Sequence, residues 1–213
     1  MFKIEKFDFL VSLYIFCILI SELMGGKTFY ITNLGNFPLN ASVAIFALPI
    51  VYSINDIITE VFGIDRSKSV VRAGLFMVVL LTLFSFLAIS LPPSKRFLPT
   101  EPAYEKVFGT TIRIALASLT AFALAEFTDL FVFQKIRQSL GKSGLWLRNN
   151  VSNFVSQFAD TVIFMTLAFY APDKSLASNF AFLSSLVLPY WLLKCFMSII
   201  ETPFVYLGVK WLK

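Results

Sequence analysis

Apolar runs of about twenty residues, the length a helix needs to cross a bilayer's hydrocarbon core, recur six times along this chain. They fall at about residues 8–27, 40–63, 70–91, 111–134, 150–171 and 180–208. Lipid offers the backbone no hydrogen-bond partner, so runs of this kind span only as helices or closed barrels. The residue balance agrees: 15% of the chain is charged, against roughly 25% in an ordinary soluble protein. The expected fold is an all-α integral membrane protein with six transmembrane helices, forming one transmembrane domain over residues 1–213. The last two runs exceed the minimum span, so tilt or a kink at Pro189 or Pro203 is expected. Lys3 and Lys6 precede the first run as in a signal peptide. No small-residue cleavage site follows, however, and Glu22 interrupts the tail, so a retained first helix is expected.

Lysine and arginine set the orientation. With a cytoplasmic N-terminus, eleven fall inside (Lys3, Lys6, Arg66, Lys68, Arg72, Lys135, Arg137, Lys142, Arg148, Lys210 and Lys213). Five fall outside (Lys95, Arg96, Lys106, Arg113 and Lys174), and Lys27 and Lys194 stay within the spans. Both termini are therefore expected in the cytoplasm, in a multi-pass protein of the inner (plasma) membrane. The net charge of +5 reads as this bias, not as a nucleic-acid surface. The chain has no His, which removes His-based general bases and His-ligated metals. Cys17 and Cys195 stand alone in apolar surroundings and read as small hydrophobes. No cofactor and no metal are expected. The longest loop, "PPSKRFLPTEPAYEKVFGTT", reads as a solvated connector, with a gate or short interfacial helix as the alternative.

Against this apolar background stand seven acids in or at the ends of spans: Glu22, Asp56, Glu60, Glu126, Asp129, Asp160 and Glu201. Three bases join them: Lys27, Arg113 and Lys194. If half of the ten sit deep, the insertion cost approaches about 15 kcal/mol, comparable to the stability of a whole domain. They must pair, shed their charge or line a wet cavity. Helical spacing sorts them onto stripes. Tyr52, Asp56, Thr59, Glu60 and Gly63 share one stripe on the second span, with Asn55 at its edge. Asn150, Asn153, Gln157 and Asp160 share one on the fifth. Tyr190, Lys194 and Glu201 align on the sixth, and Glu126 and Asp129 lie a turn apart on the fourth. Polar stripes on otherwise apolar helices predict a bundle with a polar interior. By depth the cluster runs from the middle of the membrane to its inner side, the level of a transporter's binding site. The alternative for Asp56 and Glu60 is interhelical glue.

Two further features bear on architecture. Gly25-Gly26 can break the first helix between Glu22 and Lys27, as in broken transporter helices; the alternative is a plain helix end with Lys27 snorkelling outward. "EFTDLFVF" (126–133) echoes "QFADTVIF" (157–164), and Asp56 and Asp160 occupy comparable places in two three-helix halves. A 3+3 inverted repeat would produce that echo.

Four segments in order, "NDIITEVFG", "RIALASLTAF", "LWLRNNVSNFVSQFADTVIF" and "LKCFMSIIETPFVYLGVKWLK", resemble the queuosine precursor transporter family, earlier catalogued as putative vitamin uptake transporters. The resemblance spans nearly the whole chain. It implies six helices and inward movement of 7-deazaguanine precursors of the tRNA base queuosine, such as preQ0, preQ1 or queuine. The matching positions are Asp56, Thr59, Glu60, Gly63, Arg113, Trp146, Arg148, Gln157, Asp160, Lys194, Glu201 and Pro203. Glu126 and Asp129 fit one branch of the family, while Glu22 and Lys27 have no firm place in the pattern.

A deazaguanine presents an N–H beside an exocyclic amine, and one carboxylate accepts both. The expected substrate-binding set is Asp56, Glu60, Glu126, Gln157, Asp160, Lys194, Glu201, Asn153 and Tyr52, with Asp160 or Asp56 on the guanine-like edge and Gln157 or Asn153 at the carbonyl. Tyr52, Phe158 or Tyr190 would stack on the ring. Arg113, Asp129, Arg148, Glu22 and Lys27 form the expected gating or charge-pairing set. The partners are then a small purine-like solute and the lipid bilayer, with a homodimer as a further expectation. An alternative function is the substrate-binding subunit of a vitamin uptake system driven by separate ATPase partners. Such subunits carry an Ala-x-x-x-Ala docking motif, and "VSLYIFCILISEL" has no Ala. An intramembrane enzyme would need a Gly-x-Gly-Asp signature or a catalytic His, and the chain has neither, so no enzymatic activity is expected.

Overall fold

A computed structural model describes residues 4–140, 145–200 and 202–212. Within these, the side chains at 126, 127, 129, 130, 133, 134, 136–140, 145–150, 152, 153, 197–200 and 202 lie outside the description. The elements in chain order are α1 (Lys6–Met24), β1 (Thr28–Leu34), β2 (Phe37–Ser42), a 3-10 turn (Val43–Phe46), α2 (Leu48–Phe62), α3 (Ile64–Ser90), α4 (Glu101–Leu140), α5 (Leu145–Phe169), α6 (Leu176–Ile200) and α7 (Thr202–Leu212). Among the described residues five helices are long and apolar enough to cross a membrane: Lys6–Met24, Val43–Phe62, Ile64–Ser90, Glu101–Ala125 and Leu176–Phe196. A sixth apolar stretch, Phe154–Phe169, is shorter.

The chain folds as two compact units. The first joins residues 1–29, 42–115 and 196–213. Its core is Leu10 and Tyr14 of α1, Ile54, Ile57 and Ile58 of α2, and Val70 of α3, with Val205 and Val209 of α7 packed against it. Removing these branched side chains from water and from lipid gaps supplies close-packed dispersion contacts. The outward face of α3 (Phe76, Leu83, Phe84) stays exposed on the protein, as a surface meeting hydrocarbon should. One residue, Gly63, joins α2 to α3, with φ 85° and ψ 165°. That conformation is nearly exclusive to glycine, so the glycine ending "NDIITEVFG" makes the corner. At the other end of the chain, the Lys6 ammonium donates to the Trp211 carbonyl and lies 5.4 Å from the Trp211 ring centroid. This contact ties the start of α1 to the end of α7.

The second unit holds residues 30–41 and 116–195. Ala117 and Ala121 of α4 are buried; small side chains a turn apart let helix backbones approach closely. Asn179 organises the α5–α6 connection, donating to the Ala171 carbonyl at 2.8 Å and accepting from the Ala171 amide at 2.9 Å.

Two features correct the sequence expectation. The fold is not all-α, because "TFYITNLGNFPLNAS" forms a two-stranded hairpin between α1 and α2. Its two-residue loop is Gly35-Asn36, and Gly35 has φ 64°, the positive value a type II′ hairpin turn needs at its first central position. A lone hairpin is marginal in water. This one is tied down by the Ser42 hydroxyl, which donates to the Gly25 carbonyl at 2.6 Å, and by the Val43 amide, which donates to the Lys27 carbonyl at 2.9 Å. On its second strand, Asn40 donates to the Ser185 hydroxyl of α6 at 2.8 Å. Second, α4 begins at Glu101, inside the expected connector, where Pro102 sits in the opening turn.

Candidate functional site

In the first unit α2 turns its Ile54, Ile57 and Ile58 face into the core. The polar stripe occupies the rest of the helix: Tyr52, Asn55 and Thr59 are half-buried, and Asp56 and Glu60 are exposed. Asn55 serves packing, accepting from the hydroxyl of buried Ser67 on α3, while Thr59 donates back to the Asn55 carbonyl at 2.8 Å. At the end of α1 the Gly25 amide bonds the Ser21 carbonyl at 2.9 Å and the Lys27 amide bonds the Met24 carbonyl at 3.1 Å. Gly25-Gly26 thus closes a plain helix end that runs into β1. Glu22 is buried there, and Lys27 and Arg113 are exposed.

In the second unit α5 and α6 are joined by charge. Lys194 Nζ donates to the carboxylate of Asp160, with side-chain exposures of 11% and 26%. Both residues lie in apolar helices, where an isolated charge would cost several kcal/mol and a hydrogen-bonded pair far less. Around α5, helical spacing places Gln157 between Asp160 and Phe154 on the side that meets α6. Gln157 is half-buried, and its carbonyl accepts from the Thr161 hydroxyl at 2.8 Å. Trp191, one turn before Lys194, packs edge-on against Phe154 and Phe158, with ring centroids 4.6 and 5.2 Å apart. Tyr190 is buried. A carboxylate, an ammonium, an amide and an aromatic group on facing helices can together bind a small planar polar solute.

The structure thus pairs Asp160 with Lys194 and Asn55 with Ser67. Five expected site side chains, Glu126, Asp129, Arg148, Asn153 and Glu201, lie outside the described residues, as does Trp146. Sequence reasoning passed over Trp191, Phe154 and Ser67. The i, i+3 spacing of Trp191 and Lys194 was the available signal for the first.

Apolar helices that carry an ion pair and polar stripes define a multi-pass membrane protein of the solute-transport class. The chain belongs to the putative vitamin uptake transporter family, whose sequence model matches residues 42–208. It is 29% identical over 175 residues to the probable queuosine precursor transporter of Bacillus subtilis, covering 82% of this chain and 74% of that one. It is 25% identical over 159 residues to the probable queuosine precursor transporter of Haemophilus influenzae, covering 72% and 64%. Against the queuosine precursor transporter of Escherichia coli it is 26% identical over 135 residues, covering 63% and 58%. These relatives are named as transporters, not as enzymes. No solved structure matches the chain.

Proposed function

We propose that this protein imports 7-deazaguanine queuosine precursors, the preQ0, preQ1 or queuine class, for tRNA modification. The observation carrying this reading is the Asp160–Lys194 pair between two apolar helices, in a chain whose relatives are named for queuosine precursors. In the empty state Lys194 neutralises Asp160. An arriving deazaguanine offers the carboxylate two N–H donors in place of the ammonium, so the charge is never left bare in the membrane. An analogue without those donors would leave a buried acid unpaired and be rejected. Asp56 and Glu60 are the candidate recognition groups of the first unit. Glu126, Asn153, Glu201 and Tyr52 complete the proposed binding set, and Arg113, Asp129, Arg148, Glu22 and Lys27 the gating set.

The proposed arrangement has six spans in one transmembrane domain with both termini cytoplasmic. The lysine and arginine bias supports it, as does the Lys6–Trp211 contact joining the chain's two ends. A 3+3 inverted repeat and a homodimer belong to the same proposal.

The test uses cells that cannot make the precursor. Expressing this protein should restore queuosine in their tRNA at low supplied precursor, and Asp160→Asn should abolish the rescue at equal membrane abundance. Failure of the intact protein to rescue would overturn the transport reading; rescue by Asp160→Asn would overturn the site.

A further inference from the structure

The side chain of Trp191 holds a donor that packing alone does not explain. Its indole nitrogen is buried and has no acceptor among the described residues. An indole N–H only donates, and a buried one ordinarily finds a partner. Leaving it unmet is a standing cost that a phenylalanine at the same place would avoid. The ring is held in plane by two edge contacts, at 65° to Phe154 and 72° to Phe158. Trp191 also lies on the same face of α6 as Lys194, one turn away, and Lys194 is engaged by Asp160.

We infer that Trp191 is a binding residue whose Nε1–H donates to the carbonyl oxygen of the transported base, an inference that rests on the transport reading above. The polar edge of a deazaguanine presents a carbonyl oxygen, a ring N–H and an exocyclic amine in one row. A carboxylate satisfies the two donors and leaves the carbonyl needing one of its own. Asp160 supplies the carboxylate. Trp191 supplies a donor fixed by its aromatic neighbours, so little side-chain freedom is lost when the base arrives. The role differs from stacking: the ring faces are held by packing, and the N–H reads the ligand.

The experiment uses the purified full chain in nanodiscs with ¹⁵N-indole-labelled tryptophan. The chain has 3 Trp, and the Trp191 signal is assigned by its loss in Trp191→Phe. Titration with 7-deazaguanine should move the Trp191 indole proton downfield. Trp191→Phe should bind this ligand roughly tenfold more weakly, the worth of one buried hydrogen bond. Binding that leaves the Trp191 resonance in place, or equal affinity of parent and Trp191→Phe for 7-deazaguanine, would overturn the Trp191 assignment while sparing the transport reading. Absence of binding by the parent chain to any 7-deazaguanine would overturn both.

Discussion

The acids of α2 and the acid of α5 are the same residue types in similarly apolar helices, yet they are held differently. Around α2, the neutral Asn55–Ser67 bond and the isoleucine face do the packing, and Asp56 and Glu60 stay exposed on the protein. Around α5, the acid itself joins two helices, because Asp160 carries the bond to Lys194. A membrane helix can therefore separate holding from presenting, or place both in one carboxylate. Where they coincide, any ligand that engages the acid also disturbs the seam between helices.

The largest effect expected from this contrast is at Lys194. Lys194→Met strips the cation from a part-buried acid and should destabilise the protein by about 3–5 kcal/mol, read as thermal unfolding in detergent. Combining it with Asp160→Asn should recover most of that loss without restoring uptake. Full stability of the single variant would erase the difference between the two helices. A smaller effect is expected at Asn55, where Asn55→Ala removes one neutral hydrogen bond and should cost about 1 kcal/mol. Uptake per folded molecule should be unchanged, and a large transport defect would show that Asn55 presents as well as holds. The smallest stability change, within about 0.5 kcal/mol, is expected for Glu60→Gln. Calorimetric binding of a deazaguanine should weaken in Asp56→Asn. Normal binding by both variants would return these acids to a purely structural role.

Much of this was legible in the sequence because a helix repeats on a fixed period. The stripe through Asp56 and Glu60 and the positions of Asp160 and Lys194 follow from counting turns. The hairpin was missed because "TFYITNLGNFPLNAS" falls largely in the connection between two strongly apolar runs, where its Gly-Asn turn signal was not weighed. The start of α4 was missed because its prolines and mixed charges resemble a connector, although Pro102 suits a helix's opening turn. Trp191 was passed over because an aromatic residue in an apolar helix carries no mark of an unmet hydrogen bond until its neighbours are placed. The bond from Asn40 to Ser185 joins residues 145 apart, and no local pattern announces such a pair.

Gly63 has a mechanical meaning beyond its backbone angles. With Phe62 ending α2 and Ile64 starting α3, the linkage has no slack: two peptide steps keep the facing helix ends within roughly 7 Å. A sliding or tilting of α2 must be transmitted at once to α3, as through a rigid crank and not a rope. Any displacement begun at Asp56 would travel to the far end of a 27-residue lever, and lengthening the corner with inserted glycines would let the two helices lose step.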